Sequence, residues 1–178
     1  MYLSIAGTIW IISILVLLIL LYVLFVAMSF YFMHVFKKKL NIGKESINVL
    51  IYQKITTLYE CANNLLKLGY DNPKLIEFIK NEELRKYRVV EVKEFEGLFS
   101  KTEEIYATVK KVCTNLKRED NYRDIVNNLE TIDNLNSKYF ETIQLYNTYV
   151  VGFNYWRNLY FTKWIKVLLR KDEIDTIK

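Results

Sequence analysis

The chain has 178 residues, a formal net charge of +5, 52% hydrophobic residues, one histidine and two cysteines. That length suggests one domain. Two distant cysteines with no CxxC or Cys/His spacing exclude a disulfide framework, and a lone histidine excludes an imidazole-based acid–base constellation.

The averages conceal a division. From Tyr2 to Phe36 there are 35 residues without Asp, Glu, Lys or Arg, and only His34 could titrate. A spanning helix needs about 20 apolar residues to cross a hydrocarbon core of about 30 Å. As a continuous helix the run would measure roughly 50 Å, so it can cross with residues to spare. A cleaved signal peptide would show a basic start, a shorter apolar stretch and a small-residue cleavage site. Here nothing basic precedes the run, and Phe30, Tyr31 and Phe32 continue it beyond Ala27, Met28 and Ser29. An uncleaved transmembrane anchor over residues 1–40 is expected.

Charge asymmetry gives the expected orientation. Lys37, Lys38 and Lys39 follow the run directly, with Lys44 close behind, and the other flank has no basic side chain. Basic flanks stay cytoplasmic, which puts the N-terminus outside and the rest of the chain inside. Trp10 and Tyr2 near one end, with Tyr31 and His34 near the other, suit an interfacial belt. A reducing cytoplasm also suits Cys61 and Cys113 as two small apolar side chains.

Residues 41–171 read as an all-α domain, with few glycines and one proline to interrupt helices. Ile47, Leu50, Ile51, Ile55, Leu58, Tyr59, Ala62, Leu65 and Leu66 recur at three- and four-residue steps, one helical stripe. Gly69 is a plausible end, and Asp71-Asn72-Pro73 a restart, since proline suits a first helical turn. A third helical stretch is expected from about Glu82 to Lys117. The β-branched Val89-Val90-Glu91-Val92 is read as part of it, with a break near Gly97 and a new cap at Ser100, three residues before Glu103. Arg118–Asn121 is the clearest connection, and Asp120 can cap a final long helix. Amphipathic helices joined by short connections bury their stripes as an antiparallel bundle. Residues 172–178 read as a polar tail.

Residues 153–171 combine aromatics with five cations and no acid. Trp156, Arg157, Lys163, Trp164, Lys166 and Arg170 could place this helix on an anionic leaflet. The competing reading is that the same face closes the bundle or contacts another subunit.

Recognisable chemistry is absent. No phosphate-cradling, dinucleotide, zinc-protease or calcium-loop motif occurs. Neighbouring carboxylates such as Glu103 and Glu104 diverge by about 100° on a helix and do not converge on a ligand. Lysines alternate with glutamates, as solvated helix faces do, and no nucleic-acid stripe emerges. No catalytic residue, cofactor, metal or small-molecule substrate is expected.

Several segments, in order, resemble the LemA family of bacterial single-pass membrane proteins. Tyr146-Asn147-Thr148-Tyr149-Val150-Val151-Gly152-Phe153-Asn154 resembles the family's YNxxVxxYN signature, with Phe for the second Tyr. Leu129-Glu130-Thr131-Ile132-Asp133-Asn134 is similar to its LExTEN segment, and Leu116, Lys117, Asp120, Asn121 and Tyr122 to its LKxxENF connection. Pro73-Lys74-Leu75-Ile76-Glu77 resembles the start of its PNLVExVK stretch. The match covers residues 45–160. The family's WSxIDxxLKRR stretch is poorly kept at Tyr59–Lys67, and the basic aromatic segment replaces its short tail.

The resemblance implies a bacterial cell-membrane location and a cytoplasmic helical domain, with no established enzymatic chemistry. Asn147 and Asn154 would need hydrogen-bond partners if buried in the bundle, as cross-helix positions would provide. The expected role is a membrane-tethered scaffold or protein-interaction module, with other proteins or a second copy as partners. The alternative is a lipid-binding or membrane-remodelling module that uses the basic aromatic helix.

Overall fold

A computed structural model describes residues 5–86, 88–114, 122–159, 174 and 176–177. Those residues form five helices and no strand: α1 Ile5–Lys67, α2 Pro73–Lys80, α3 Glu82–Arg85, α4 Val92–Thr114 and α5 Tyr122–Asn158. The protein is all-α, with a long apolar N-terminal helix. Asp120 and the rest of the connection before α5 lie outside the described residues.

Two compact units divide the chain. The first comprises Met1–Leu40 with Tyr149–Asp175, and the second Asn41–Thr148 with Thr176–Lys178. Helices α1 and α5 each contribute to both. The last turns of α5 therefore group with the N-terminal part of α1, rather than with the single bundle expected over residues 41–171.

In the second unit, three helices bury seams of alternating three- and four-residue spacing. Helix α1 contributes Ile47, Ile51, Leu58, Cys61 and Leu65, and α4 contributes Phe95, Thr102, Tyr106, Val109 and Cys113. The α5 seam includes Ile125, Ile132, Leu135, Tyr139, Ile143 and Tyr146. This is the spacing at which helices interlock side chains along a shared axis.

Cross-contacts fix the directions. Gly43 of α1 faces the Tyr146 ring, where an added Cβ would lie 3.2 Å from Cδ2, and Cys61 lies beside Asn128. Early α1 thus meets late α5, an antiparallel pair. Phe99 stacks on Tyr139 at 4.0 Å and 3°, and the Tyr106 hydroxyl donates to Asp133 at 2.6 Å. Helices α4 and α5 are therefore antiparallel as well.

Helix α1 ends as Gly69 requires. Its φ is +82°, a conformation open to glycine without a Cβ penalty. Gly69 N–H donates to the Leu66 carbonyl at 3.0 Å, and Tyr70 N–H to that of Leu65 at 3.1 Å, the paired closure of a Schellman end. Asn72 then caps α2, its side chain accepting the Lys74 N–H at 3.0 Å, with Pro73 in the first turn.

The stretch from Glu82 to Lys117 departs from the single broken helix expected there. Helix α3 is one turn, residues 88–91 are non-helical, and α4 runs unbroken through Gly97 and Ser100. The break falls on the valines rather than on Gly97, which is exposed and where an added Cβ would meet nothing within 4 Å. Asn48 of α1 supplies the competing partner: its amide donates to the Arg88 carbonyl at 3.1 Å and its oxygen accepts the Val90 N–H at 3.4 Å. Val90 is buried, and β-branched residues tolerate extension better than helix.

Candidate functional site

The first unit carries an apolar band. From Ile9 to Leu24 the large apolar side chains of α1 are about half exposed on every face of the helix, and Trp10 is 71% exposed. A soluble helix hides one stripe, whereas a helix that is apolar all round requires apolar surroundings. Helix α1 is the one described helix long and apolar enough to cross a membrane. Lys37, Lys38 and Lys39 lie on the same continuous helix, and all three are exposed.

Beyond the band, the first unit closes its own small core. Trp156 stacks on Phe32 with ring centroids 4.6 Å apart and planes at 13°, and lies 6.4 Å from Phe25. Gly152 lets the Phe36 ring approach so closely that an added Cβ would stand 2.7 Å from it. Val150 and Phe153 are buried, as are Ser29, Met33 and Leu40. The Ser29 hydroxyl satisfies itself by donating to the Phe25 carbonyl one turn back, at 3.0 Å. Trp156 is thus engaged with α1, and Arg157 is half-buried. Lys163, Trp164, Lys166 and Arg170 lie outside the described residues.

At the heart of the second unit is a charge that the apolar pattern conceals. Lys54 falls in the α1 seam, between Ile51 and Leu58, and is 2% exposed. It pairs with Glu103 of α4, and its ammonium sits 3.9 Å from the Phe99 ring centroid. Phe99 in turn stacks on Tyr139, so the cation, two rings and a carboxylate join all three helices. Burial pushes the Lys54 pKa down, and the Glu103 hydrogen bond and charge oppose that shift. A lysine at a seam position is the available signal in the sequence, because it must find both a carboxylate and an aromatic face there.

The other titratable groups of this core are insulated rather than activated. Burial pushes the Cys61 thiol up to about 12 and raises that of Cys113 as well. Both remain protonated thiols at neutral pH, without the thiolate that nucleophilic chemistry needs. Burial also pushes the Tyr139 hydroxyl up to about 12. Among the described residues, no cluster of His, Cys, Asp and Glu is arranged to hold a metal ion.

Open clefts flank the core of the second unit. One of about 170 Å³ is lined by Asn48, Tyr52, Leu84, Arg88, Val90 and Lys101 among others. Another, about 280 Å³, lies where α2 meets α4 and includes Phe78, Thr102 and Ile105; Lys74 and Glu104 pair at 2.5 Å along its lining.

The residues of the sequence motifs fall in separate roles. Pro73 opens α2, Leu75 is buried beneath it and Glu77 is exposed. Leu129 is half-buried, while Tyr146 is buried against Gly43. Leu116, Lys117 and Asn121 lie outside the described residues, and of Tyr122 only its place at the start of α5 is described.

Asn147 and Asn154 do find partners, but not across helices. In the second unit, Asn147 donates its amide to the Ile177 carbonyl at 2.6 Å and accepts the Ile177 N–H at 2.8 Å. In the first unit, Asn154 treats Ile174 likewise, donating at 2.9 Å and accepting at 3.4 Å. The stretch expected to be a polar tail therefore contains a buried side chain, Ile177, at 5% exposure. Its neighbours Asp172, Glu173, Asp175 and Lys178 outweigh two isoleucines in any reading by composition.

Comparison of the chain with family models, with curated proteins and with solved structures found no match.

Proposed function

We propose that this chain is a membrane-tethered helical interaction module without catalytic activity, its anchor crossing once with the N-terminus outside. The observation that carries the reading is the continuity of α1. One helix bears an apolar band exposed on every face and then supplies a seam of a three-helix core. A helix of this kind suits holding a folded domain near a membrane. The protonated thiols and the engaged Lys54 support a binding role over an enzymatic one. The motif order at Pro73, Leu129 and Tyr146–Asn154 supports kinship with LemA proteins and, through it, a bacterial cell membrane.

Crosslinking in intact membranes, with proximity labelling from the bundle, tests this function. Capture of other proteins at defined contacts is the expected result. Capture of the chain alone would replace it with a homo-oligomeric structural role. Protease accessibility in inside-out vesicles tests the topology, with digestion of the bundle expected and protection contradicting it.

A further inference from the structure

A third cleft of the second unit, about 500 Å³, runs between α1 and α5 and is lined by Ile42, Glu45, Val49, Lys138, Glu141 and Leu145 among others. Ile42 and Leu145 are 56% and 55% exposed, and Val49 is 37% exposed. All three lie outside the apolar band, on helices whose seams in this unit are buried. The Gly43–Tyr146 contact sets the register of the antiparallel pair. It places Ile42 beside Leu145 at one end of the cleft and Val49 toward Lys138 at the other. An exposed apolar patch rimmed by polar residues marks an interaction site.

The charges at the rim indicate which partner the patch fits. Glu45, Lys138 and Glu141 are exposed, and among the described residues none of them is ion-paired within the chain. Lys138 and Glu141 both line the cleft and stand about 4.5 Å apart along the axis of α5. A patch with an unpaired cation and an unpaired carboxylate so placed supplies its own complement. Rotated about a twofold axis, Lys138 of each copy meets Glu141 of the other while the two apolar patches close together. Anchors in one membrane make two copies parallel and remove part of the rotational freedom that association otherwise costs.

We propose that the α1–α5 cleft is the face through which two copies of the chain pair side by side, parallel about a twofold axis. Ile42, Val49 and Leu145 form the centre of the contact, and two Lys138–Glu141 pairs cross the axis. The inference rests on the membrane-tethered reading for its parallel arrangement. It names a second copy as the partner of this face and leaves the other faces to other proteins.

The test uses the full-length protein in phosphatidylcholine liposomes at low protein-to-lipid ratio, with energy transfer between donor- and acceptor-labelled copies. Wild type should pair. Leu145→Asp, at an exposed position, buries a carboxylate in the contact and should weaken pairing at least tenfold. Lys138→Glu alone and Glu141→Lys alone each set like charges across the axis and should weaken pairing about fivefold. Mixed in equal amounts, those two variants should pair with each other as well as wild type does, because every cation again faces a carboxylate. Repair of this kind arises only between copies. No transfer in wild type, undiminished pairing by Leu145→Asp, or a mixture no better than either variant alone overturns the proposal.

Disulfide crosslinking with copper phenanthroline as oxidant checks the parallel arrangement. Ile42→Cys should give a covalent dimer, and Val89→Cys, at a position 74% exposed but away from the cleft, should not. Equal crosslinking at both positions would mean random encounter and defeat the dimer. Alkaline washing keeps the two failures apart. Protein that stays in washed membranes without pairing defeats the dimer alone, whereas protein released by the wash defeats the tether.

Discussion

The two halves of α1 show one backbone conformation under two different constraints. Between Ile9 and Leu24 apolar side chains point outward on every side, whereas between Ile47 and Leu65 they form a buried seam and leave Gln53 and Glu60 exposed. In the first half the surroundings must be apolar all round. In the second, three helices supply an apolar interior along a single line. Position around the helix axis should therefore matter greatly in the second half and little in the first.

The largest expected effect comes from placing charge in the band. Leu17→Arg combined with Leu20→Arg should cost about 2.5–3.5 kcal/mol for each arginine at the centre of a membrane helix, read as loss of the protein from alkali-washed membranes. Moving the pair to Leu18 and Leu21 should do the same. Retention of either double variant in the membrane would break the comparison.

Truncation of the bundle core comes next. Phe95 is fully buried, and Phe95→Ala should destabilise the second unit by about 3–5 kcal/mol, seen as a lowered denaturation midpoint. Glu60→Ala, on the exposed face of α1, should leave that midpoint unchanged. A similar loss from both would mean that the seam does not organise the unit.

A smaller effect appears only in alkali. The folded Cys61 thiol titrates at about 12 against an ordinary 9.0. Between those values the unfolded chain binds fewer protons than the folded one, so stability falls as pH rises. The contribution is fully present below pH 9.0 and declines by up to about 1.4 kcal/mol per pH unit above it. Cys61→Ala should flatten the alkaline limb of a stability–pH profile, and an unaltered limb would show that this thiol is not insulated in the folded protein.

The smallest effect concerns one hydroxyl. Tyr106→Phe removes the 2.6 Å bond to Asp133 while keeping the ring in the core, at a cost of about 1 kcal/mol. A loss as large as that from Phe95→Ala would indicate that the α4–α5 contact depends on polar rather than apolar pairing.

Much of this organisation is legible in the residues because it follows from patterns a few positions long. The uncharged run, the α1 stripe, the Gly69 stop and the Asn72-Pro73 restart each depend on local chemistry. The valines at 89–92 mislead because the partner of their segment, Asn48, lies 40 or more residues away. Lys54 escapes notice because a lysine is expected in solvent unless a carboxylate and an aromatic face are brought to it. Asn147 and Asn154 visibly need partners, yet helical spacing points to neighbouring helices rather than to a segment near the end of the sequence.

By itself, then, the amino-acid order determined the all-α fold, the long apolar helix and the seams, since hydrophobic period and helix-stop chemistry act over a turn or two. Only the tertiary structure decided which polar groups the interior would accept. That choice depends on distant donors and acceptors meeting at hydrogen-bond range, as Lys54 meets Glu103 and Asn147 meets Ile177. For the apolar segment with which the sequence opens, the structure adds that its exposed band and the buried seam from Ile47 to Leu65 belong to one uninterrupted helix.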